Sequence, residues 1–293
     1  MIPKRMAFFW SGPTLPLMRF LSIWSFRRLN PDWEIVLYFS PSGNKERDWE
    51  SGERQDFESL QTCRCFMGRV ASLGVDIEPW VPSSPLINSL SPIRQSDFCR
   101  WKALHEHGGF FSDTDVLFVD SFDSIYNNIG DKSLVLSIAT ESLPTGIVGG
   151  VAKSEFWANC YRAAKALAST QQYRSGGANA LLEVAGLLST QLHFDKLATR
   201  IRLEIAATVA NSSICFIKPQ AFYLFDEYKI TELLHNSREV SEDTIGLHWH
   251  GGSRLAQKCI REVCDIEIAI SRPGTVFEYT RDLVATFGKL SFI

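Results

Sequence analysis

The sequence has no long hydrophobic run and no excess of charge of one sign. Its first apolar run, Met6–Trp10, is too short for the hydrophobic part of a signal peptide. No later stretch approaches the ~18 consecutive apolar residues of a membrane span. We therefore expect a cytoplasmic chain without an integral membrane segment. The 30 basic and 33 acidic side chains give a net charge of -3, which offers nucleic acid no global attraction, so no nucleic-acid partner is expected.

A disulfide framework is also missing, because the seven cysteines are odd in number and follow no regular spacing. Hydrophobic residues make up 45% and charged residues 22% of the chain, which is typical of globular proteins and excludes a largely disordered one. No repeat or Gly/Pro/Ser-rich linker divides the 293 residues. We expect one domain over residues 1–293, in which residues 244–293 supply a site-closing loop and terminal helices.

Alternating apolar runs and helical patterns predict an α/β fold, with a parallel or mixed sheet covered by helices on both faces. Ser96 is expected to cap the helix that carries Asp97, and Ser42–Asp56 is expected to be a surface loop or a frayed helix. The predicted strands are Met6–Trp10, Glu34–Ser40, Val75–Trp80, Leu134–Ile138, Gly146–Val151 and Ile245–Trp249. The predicted helices are Leu15–Leu29, Asp97–His107, Glu155–Ala168, Asn179–Leu188 and one near the C-terminus.

Two carboxylates, Asp113 and Asp115, interrupt an apolar segment between Phe110-Phe111 and Val116–Val119. At positions i and i+2 of an extended chain they point to the same side. Burying both is costly without a cation, and a divalent metal that also binds phosphate would compensate their charge. A short carboxylate pair also occurs in many turns, so this spacing alone leaves a solvated turn open.

The segment around these two residues resembles the signature of the DXD-containing sugar transferases. This family includes capsular-polysaccharide and mannosyltransferase-like enzymes and the glucosylating clostridial toxins. The resemblance implies a GT-A fold, a UDP-sugar or GDP-sugar donor with UDP favoured, Mn²⁺ or Mg²⁺, and transfer to a hydroxyl acceptor such as a glycan with retention of configuration. The residues that carry it are Ser96, Asp97, Arg100, Leu104, Gly108, Gly109, Phe110, Asp113 and Asp115.

Two shorter segments resemble the ends of the same family's site. Phe8–Gly12 (FFWSG) is similar to a first strand whose Trp lies against the nucleotide base. His248–Ser253 (HWHGGS) is similar to a loop that closes over the diphosphate and the metal, although Arg254 stands where the relatives usually carry Trp.

The resemblance implies a metal site at Asp115, Asp113 and His248. It also implies donor contacts from Trp10, Asp97, Arg100, Asp113, Ser253 and Arg254. Each residue has a simpler alternative: Trp10 as core, Asp97 and Arg100 as a surface ion pair, and His248 or His250 as an ordinary core or surface histidine. We also expect the loop Gly246–Arg254 to be mobile until donor binds. The acceptor is expected to meet the loops Ala139–Thr145 and Gln171–Ala178.

Two other functions are compatible with a D-x-D after an apolar strand. One is a phosphatase or phosphotransferase of the haloacid-dehalogenase type, in which the first Asp is the nucleophile. The other is a non-catalytic sugar-binding module on a transferase scaffold.

Overall fold

A computed structural model of the chain describes residues 1–41, 64–139, 142–170, 176–188, 194–225 and 229–287. The predicted surface segment Ser42–Asp56 and most of Gln171–Ala178 lie outside these residues. The strands are β1 (Arg5–Ser11), β2 (Glu34–Ser40), β3 (Asp76–Pro79), β4 (Gly109–Ser112), β5 (Val116–Phe118), β6 (Leu134–Ser137), β7 (Ile147–Gly150), β8 (Ile214–Ile217) and β9 (Gly246–His248).

The helices in these ranges include five of thirteen residues or more. They are α1 (Leu17–Leu29), α2 (Met67–Val70), α3 (Pro85–Ser89), α4 (Pro92–His107), α5 (Asp123–Tyr126), α6 (Glu155–Leu167), α7 (Ala178–Val184), α8 (Lys196–Val209), α9 (Ile230–His235), α10 (Arg254–Glu262), α11 (Ile266–Ser271) and α12 (Thr275–Phe287). None of the helices in the described residues combines the length and the apolar character needed to cross a lipid bilayer.

Seven strands form one mixed sheet in the order β3-β2-β1-β4-β7-β6-β8. The half from β3 to β4 is parallel, and β7 runs antiparallel to both β4 and β6. The strands β5 and β9 pair antiparallel in a separate two-stranded sheet, with Val116 opposite His248. This small sheet brings residues after position 245 next to the D-x-D segment.

The sheet separates two hydrophobic cores, as the alternation along β1 predicts. Met6, Phe8 and Trp10 join the core that includes α1 and α12, whereas Ala7 and Phe9 join the core that includes α4, α6 and α8. Every residue of β1 is buried. The predicted α/β class, with helices on both faces of a mixed sheet, is therefore confirmed, whereas the single-domain organisation stays a prediction.

The predicted start of the helix that carries Asp97 is wrong. Helix α4 begins at Pro92 with Ser91 in the capping position, so Ser96 and Asp97 lie inside the helix. A proline fits the first helical position because its missing N–H needs no partner there. Asp97 is therefore too far along α4 to interact with the N-terminal end of the helix dipole.

Candidate active site

Asp113 and Asp115 occupy the connection between the large sheet and the small sheet. Strand β4 ends at Ser112 and β5 begins at Val116, and the chain turns at Thr114–Asp115 between them. The backbone N–H of Asp113 donates to the carbonyl of Gly146, at 2.8 Å. The chain is thus not extended here, and the two carboxylates converge through the turn and its fixed backbone bonds.

His248, at the end of β9, completes a cluster with these two aspartates. One ligand atom from each of Asp113, Asp115 and His248 lies within 4.8 Å of the others. The Nε2 atom of His248 is 3.2 Å from Oδ1 of Asp115. The rings of His248 and His250 are 4.2 Å apart, but Nε2 of His250 is 3.0 Å from the carbonyl oxygen of Phe225. The structure therefore brings together the three residues that the sequence predicts as metal ligands.

Asp115 is held on its second oxygen by groups outside this cluster. Its Oδ2 accepts from the backbone N–H of Gly251 at 2.8 Å and is 3.5 Å from a guanidinium nitrogen of Arg19. Burial by itself would raise the pKa of Asp115, but His248, Arg19 and the Gly251 N–H outweigh it and hold that pKa below its ordinary range. Asp115 is therefore an ionised carboxylate with Oδ1 directed at His248.

Arg19 is a site residue that sequence reasoning missed. It lies on α1 and is 8% exposed. Its guanidinium group is 4.8 Å from the ring centre of Trp249 and 5.7 Å from that of Trp10. A Cβ atom on Gly251 would collide with this group. The only signal in the sequence is that Arg19 is the one basic residue in the first ten positions of α1, which are otherwise mostly apolar, and this does not indicate its partner.

Asp97, Arg100 and Asp113 form a second group of charged side chains, in which Arg100 bridges the two carboxylates. Arg100 donates to Oδ1 of Asp97 at 2.5 Å and to Oδ1 of Asp113 at 2.6 Å. Asp97 is 6% exposed and Arg100 is 2% exposed, so the alternative of a surface ion pair is wrong. Burial raises the pKa of Asp97 to about 6 against the opposing charge of Arg100. Burial alone would lower the pKa of Arg100, but Asp113 and Asp97 raise it, so the guanidinium stays charged.

Glycines let the backbone approach these carboxylates closely. A Cβ atom at Gly177 would lie 2.9 Å from Oδ1 of Asp97, and one at Gly146 would lie 3.2 Å from Oδ2 of Asp113. The Gly146 position would also be 2.9 Å from the hydroxyl of Tyr223, whose ring packs 5.3 Å from that of His248. Side chains at these two positions would have to displace the site's own groups.

The remaining predicted donor residues are placed at the edge of this site. Trp10 is only 3% exposed and lies within the hydrophobic core, so a base could stack on it only after its neighbours move. Ser253 caps α10 by accepting from the N–H of Ala256 at 3.2 Å, and Arg254 is exposed. Donor contacts by Trp10, Ser253 and Arg254 stay predictions.

The predicted mobile loop is partly fixed in this structure. Strand β9 pairs with β5, and the N–H of Trp249 donates to the carbonyl of Asp115 at 2.9 Å. His250 has a φ of 46°, which turns the chain away from the strand. Any loop movement is therefore expected after Gly251, and this movement stays a prediction.

The segment that holds the D-x-D matches a known protein family. Residues 20–136 match the family described as the glycosyltransferase sugar-binding region containing a DXD motif. This segment matches the DXD-containing glycosyltransferases. The matched region contains Asp97, Arg100, Asp113 and Asp115 and ends well before His248. The resemblance seen in the sequence is confirmed over this sugar-binding region, which favours the transferase over the phosphatase alternative.

Solved glycosyltransferases show a remote likeness to most of the chain. The PaToxG glycosyltransferase is 18% identical, with 71% of this chain and 78% of that chain covered and a TM-score of 0.42. The galactosyltransferase LgtC, solved with donor and acceptor sugar analogues, is 12% identical, with 96% and 95% covered and a TM-score of 0.43. GlyE of Streptococcus pneumoniae TIGR4 is 9% identical, with 84% and 55% covered and a TM-score of 0.41. No curated protein sequence matches the chain.

Proposed function

We propose that this protein is a metal-dependent glycosyltransferase that moves a sugar from a nucleotide-diphosphate donor, with UDP favoured, to a hydroxyl acceptor such as a glycan. The observation that carries the proposal is the cluster of Asp113, Asp115 and His248 within 4.8 Å, joined through Asp113 to the buried Arg100. The family of residues 20–136 supplies the reaction class.

The three side chains fit a divalent cation by their chemistry. Two carboxylates are the hard oxygen ligands that both Mg²⁺ and Mn²⁺ take. The imidazole of His248 favours Mn²⁺, since Mg²⁺ is usually held by oxygen atoms alone. When bound, the cation would neutralise charge that develops on the leaving diphosphate. Arg19 and the N–H of Gly251 keep Asp115 ionised. Gly146 packs closely against Asp113 and His248. The ligand atoms of the three side chains therefore face one another.

The donor is expected to meet Asp113 before Asp97. The side chain of Asp113 is 30% exposed, whereas that of Asp97 is 9% exposed and lies against Gly176 and Gly177. We therefore assign Asp113 to the sugar or ribose hydroxyls and Asp97 to holding the Arg100 guanidinium in place. Arg100 presents a planar fork suited to phosphate or carboxylate oxygens.

Retention without a protein nucleophile is supported by how the carboxylates are engaged. Asp97 and Asp113 each accept from Arg100, and Asp115 accepts from Gly251. A carboxylate held in this way is a poor nucleophile because the N–H groups that donate to it stabilise its lone pairs. The acceptor proton then goes to the departing diphosphate. Ser253 and Arg254, at the start of α10, are the residues we assign to that diphosphate.

A screen for released nucleoside diphosphate tests this function. UDP-sugars and GDP-sugars would be incubated with the protein and Mn²⁺, with and without EDTA. We expect turnover with at least one donor, loss of turnover in EDTA, and a fall on the order of 10²–10⁴ in rate for Asp115→Asn, which removes the charge but keeps the shape.

The matched control is Asp131→Asn, a carboxylate exposed at the surface, which is expected to keep the wild-type rate. Full activity of Asp115→Asn, or of the wild-type protein in EDTA, would contradict the proposed metal site. Release of inorganic phosphate from simple phosphate esters, with no transfer from any nucleotide sugar, would instead favour the phosphatase.

A further inference from the structure

Helix α8 presents an apolar stripe to the outside of the molecule. The stripe consists of every fourth residue: Leu197 at 67% exposure, Ile201 at 47%, Ile205 at 52% and Val209 at 80%. Residues four apart lie on the same side of a helix. The opposite side of α8 is already packed, since Thr199, Leu203 and Ala207 are fully buried. The helix is therefore apolar on two sides, and only one of them contributes to the core.

This stripe is different from the scattered exposed apolar residues that every protein surface carries. Single exposed aliphatic side chains are ordinary, but four in register form a contiguous patch on the order of a few hundred Å², the size at which patches mark interaction sites. Leaving it in water forgoes the favourable free energy that burial of apolar area provides. A surface that covers the stripe is therefore energetically favoured.

Charged side chains border the stripe on both sides. At 3.6 residues per turn, Arg202 lies beyond one border, and Glu204 followed by Arg200 lies beyond the other, while Lys196 lies in the exposed first turn away from the stripe. Glu204 pairs with Arg200 at 3.2 Å, and that guanidinium packs 4.9 Å from the ring centre of Phe216. In the described part of the chain, Lys196 and Arg202 enter none of the ion pairs. With the capping Asp195 included, α8 carries three exposed basic and two exposed acidic side chains, an excess of one positive charge in a protein whose net charge is -3.

We propose that the exposed stripe of α8 docks on an anionic lipid surface. Aliphatic side chains with an arginine beyond each border are suited to the boundary between acyl chains and negatively charged headgroups, where the long basic side chains reach the phosphates. The helix lies flat on that surface, because a fourteen-residue helix is too short to span the ~30 Å hydrocarbon layer.

A second copy of the chain fits this face less well. A stable interface buries ~800 Å² on each partner, which is more than four aliphatic side chains on one helix provide. Two copies meeting along α8 would also bring their excess basic charges together. A lipid surface needs no matching shape and offers the opposite charge, so these observations favour it.

Vesicle flotation tests the proposal with the full-length protein. The vesicles would be phosphatidylcholine alone or phosphatidylcholine mixed with phosphatidylglycerol. We expect the protein to float with the mixed vesicles only, and less at high salt, because salt screens exposed charges. The double variant Ile201→Asp/Ile205→Asp is expected to reduce the floating fraction about tenfold or more, since it places charge where apolar burial is needed. The double variant Lys196→Gln/Arg202→Gln is expected to reduce the fraction that floats with the mixed vesicles.

The matched control is Val81→Asp, because Val81 is 66% exposed and lies outside α8; it is expected to float like the wild-type protein. Circular dichroism melting checks that each variant is folded, and Val209→Asp at the end of the helix replaces the double variant if that one is not. Three results overturn the proposal: no flotation of wild-type protein with anionic vesicles, equal flotation of the α8 variants, or a wild-type dimer in sedimentation that the Ile201→Asp/Ile205→Asp change dissociates.

Discussion

Replacing Arg19 by methionine tests how the site holds Asp115. Methionine keeps an unbranched side chain between Trp10 and Trp249 but removes the guanidinium, which lies 3.5 Å from Oδ2 of Asp115. Asp115 then keeps the Gly251 N–H and His248 as partners. We expect the protein to fold with lower stability in the absence of metal.

The structure sets the size of this loss. At 3.5 Å, the Coulomb attraction is about 5 kcal/mol for an effective dielectric constant of 20, and removing one partner of a buried pair costs about 3–5 kcal/mol. The two remaining partners of Asp115 reduce that figure, while the lost cation–π contact with Trp249 adds about 1 kcal/mol. We expect a decrease of about 3 kcal/mol in the free energy of unfolding.

Urea unfolding in EDTA measures this difference, with Arg28→Met as the matched control. Arg28 is exposed on the same helix, and its replacement is expected to change the free energy of unfolding by less than about 0.5 kcal/mol. Because folding lowers the pKa of Asp115, the stabilisation it gives is complete above the unfolded pKa and is lost as the pH falls. The gap between wild type and Arg19→Met should therefore be full at neutral pH and narrow below about pH 4. A gap under 1 kcal/mol at neutral pH, or one that widens in acid, would refute this role of Arg19.

Three further predictions follow from the same site. Gly177→Ala is expected to weaken nucleotide binding in calorimetry, because the new Cβ would lie 2.9 Å from Oδ1 of Asp97. The control Gly68→Ala, whose Cβ meets nothing within 4 Å, should bind nucleotide like the wild type. Equal affinity of the two variants would contradict this prediction. Trp10→Ala is expected to lower the free energy of unfolding by about 3–5 kcal/mol because the indole is buried, while Trp10→Phe should stay folded. Unchanged nucleotide affinity of a folded Trp10→Leu variant, which lacks the aromatic ring, would leave Trp10 a core residue only. Finally, UDP or GDP is expected to bind measurably with Mn²⁺ and not in EDTA; equal affinity in the two conditions would refute a metal-dependent donor site.

Much of the fold could be predicted because its signals are local. The buried strand of Glu34–Ser40 is bounded by turns and has the predicted limits, and α1 differs from the prediction only at its start. The start of α4 was missed because Pro92 reads as a loop residue in the sequence, although proline is also common in the first turn of a helix. Strand β8 was missed because a four-residue strand at the sheet edge carries little pattern.

The charged residues of the site could be predicted only where the family motif carries them. Asp97, Arg100, Asp113 and Asp115 lie within one short segment, so their spacing is visible in the sequence. Arg19 could not be predicted, because it is far from Asp115 in the sequence and meets it only through the packing of α1 beside β5. Helix α8 and its apolar stripe were not predicted. Even with the helix assigned, periodic apolar residues would indicate a buried face, and only the structure shows which of the two apolar sides is packed.

The balance of charge in the site explains why donor binding should depend on metal. Three carboxylates, from Asp97, Asp113 and Asp115, face two guanidinium groups, from Arg100 and Arg19. In the deprotonated form in which His248 can ligate a metal, the site carries one excess negative charge and repels a diphosphate. A divalent cation changes the excess from one negative to one positive charge. It adds this charge beside Asp113 and Asp115, whereas the charges of the arginines are already paired with carboxylates. The buried arginines thus fix the carboxylates in place, and the attraction of the diphosphate is left to the cation and to the exposed Arg254.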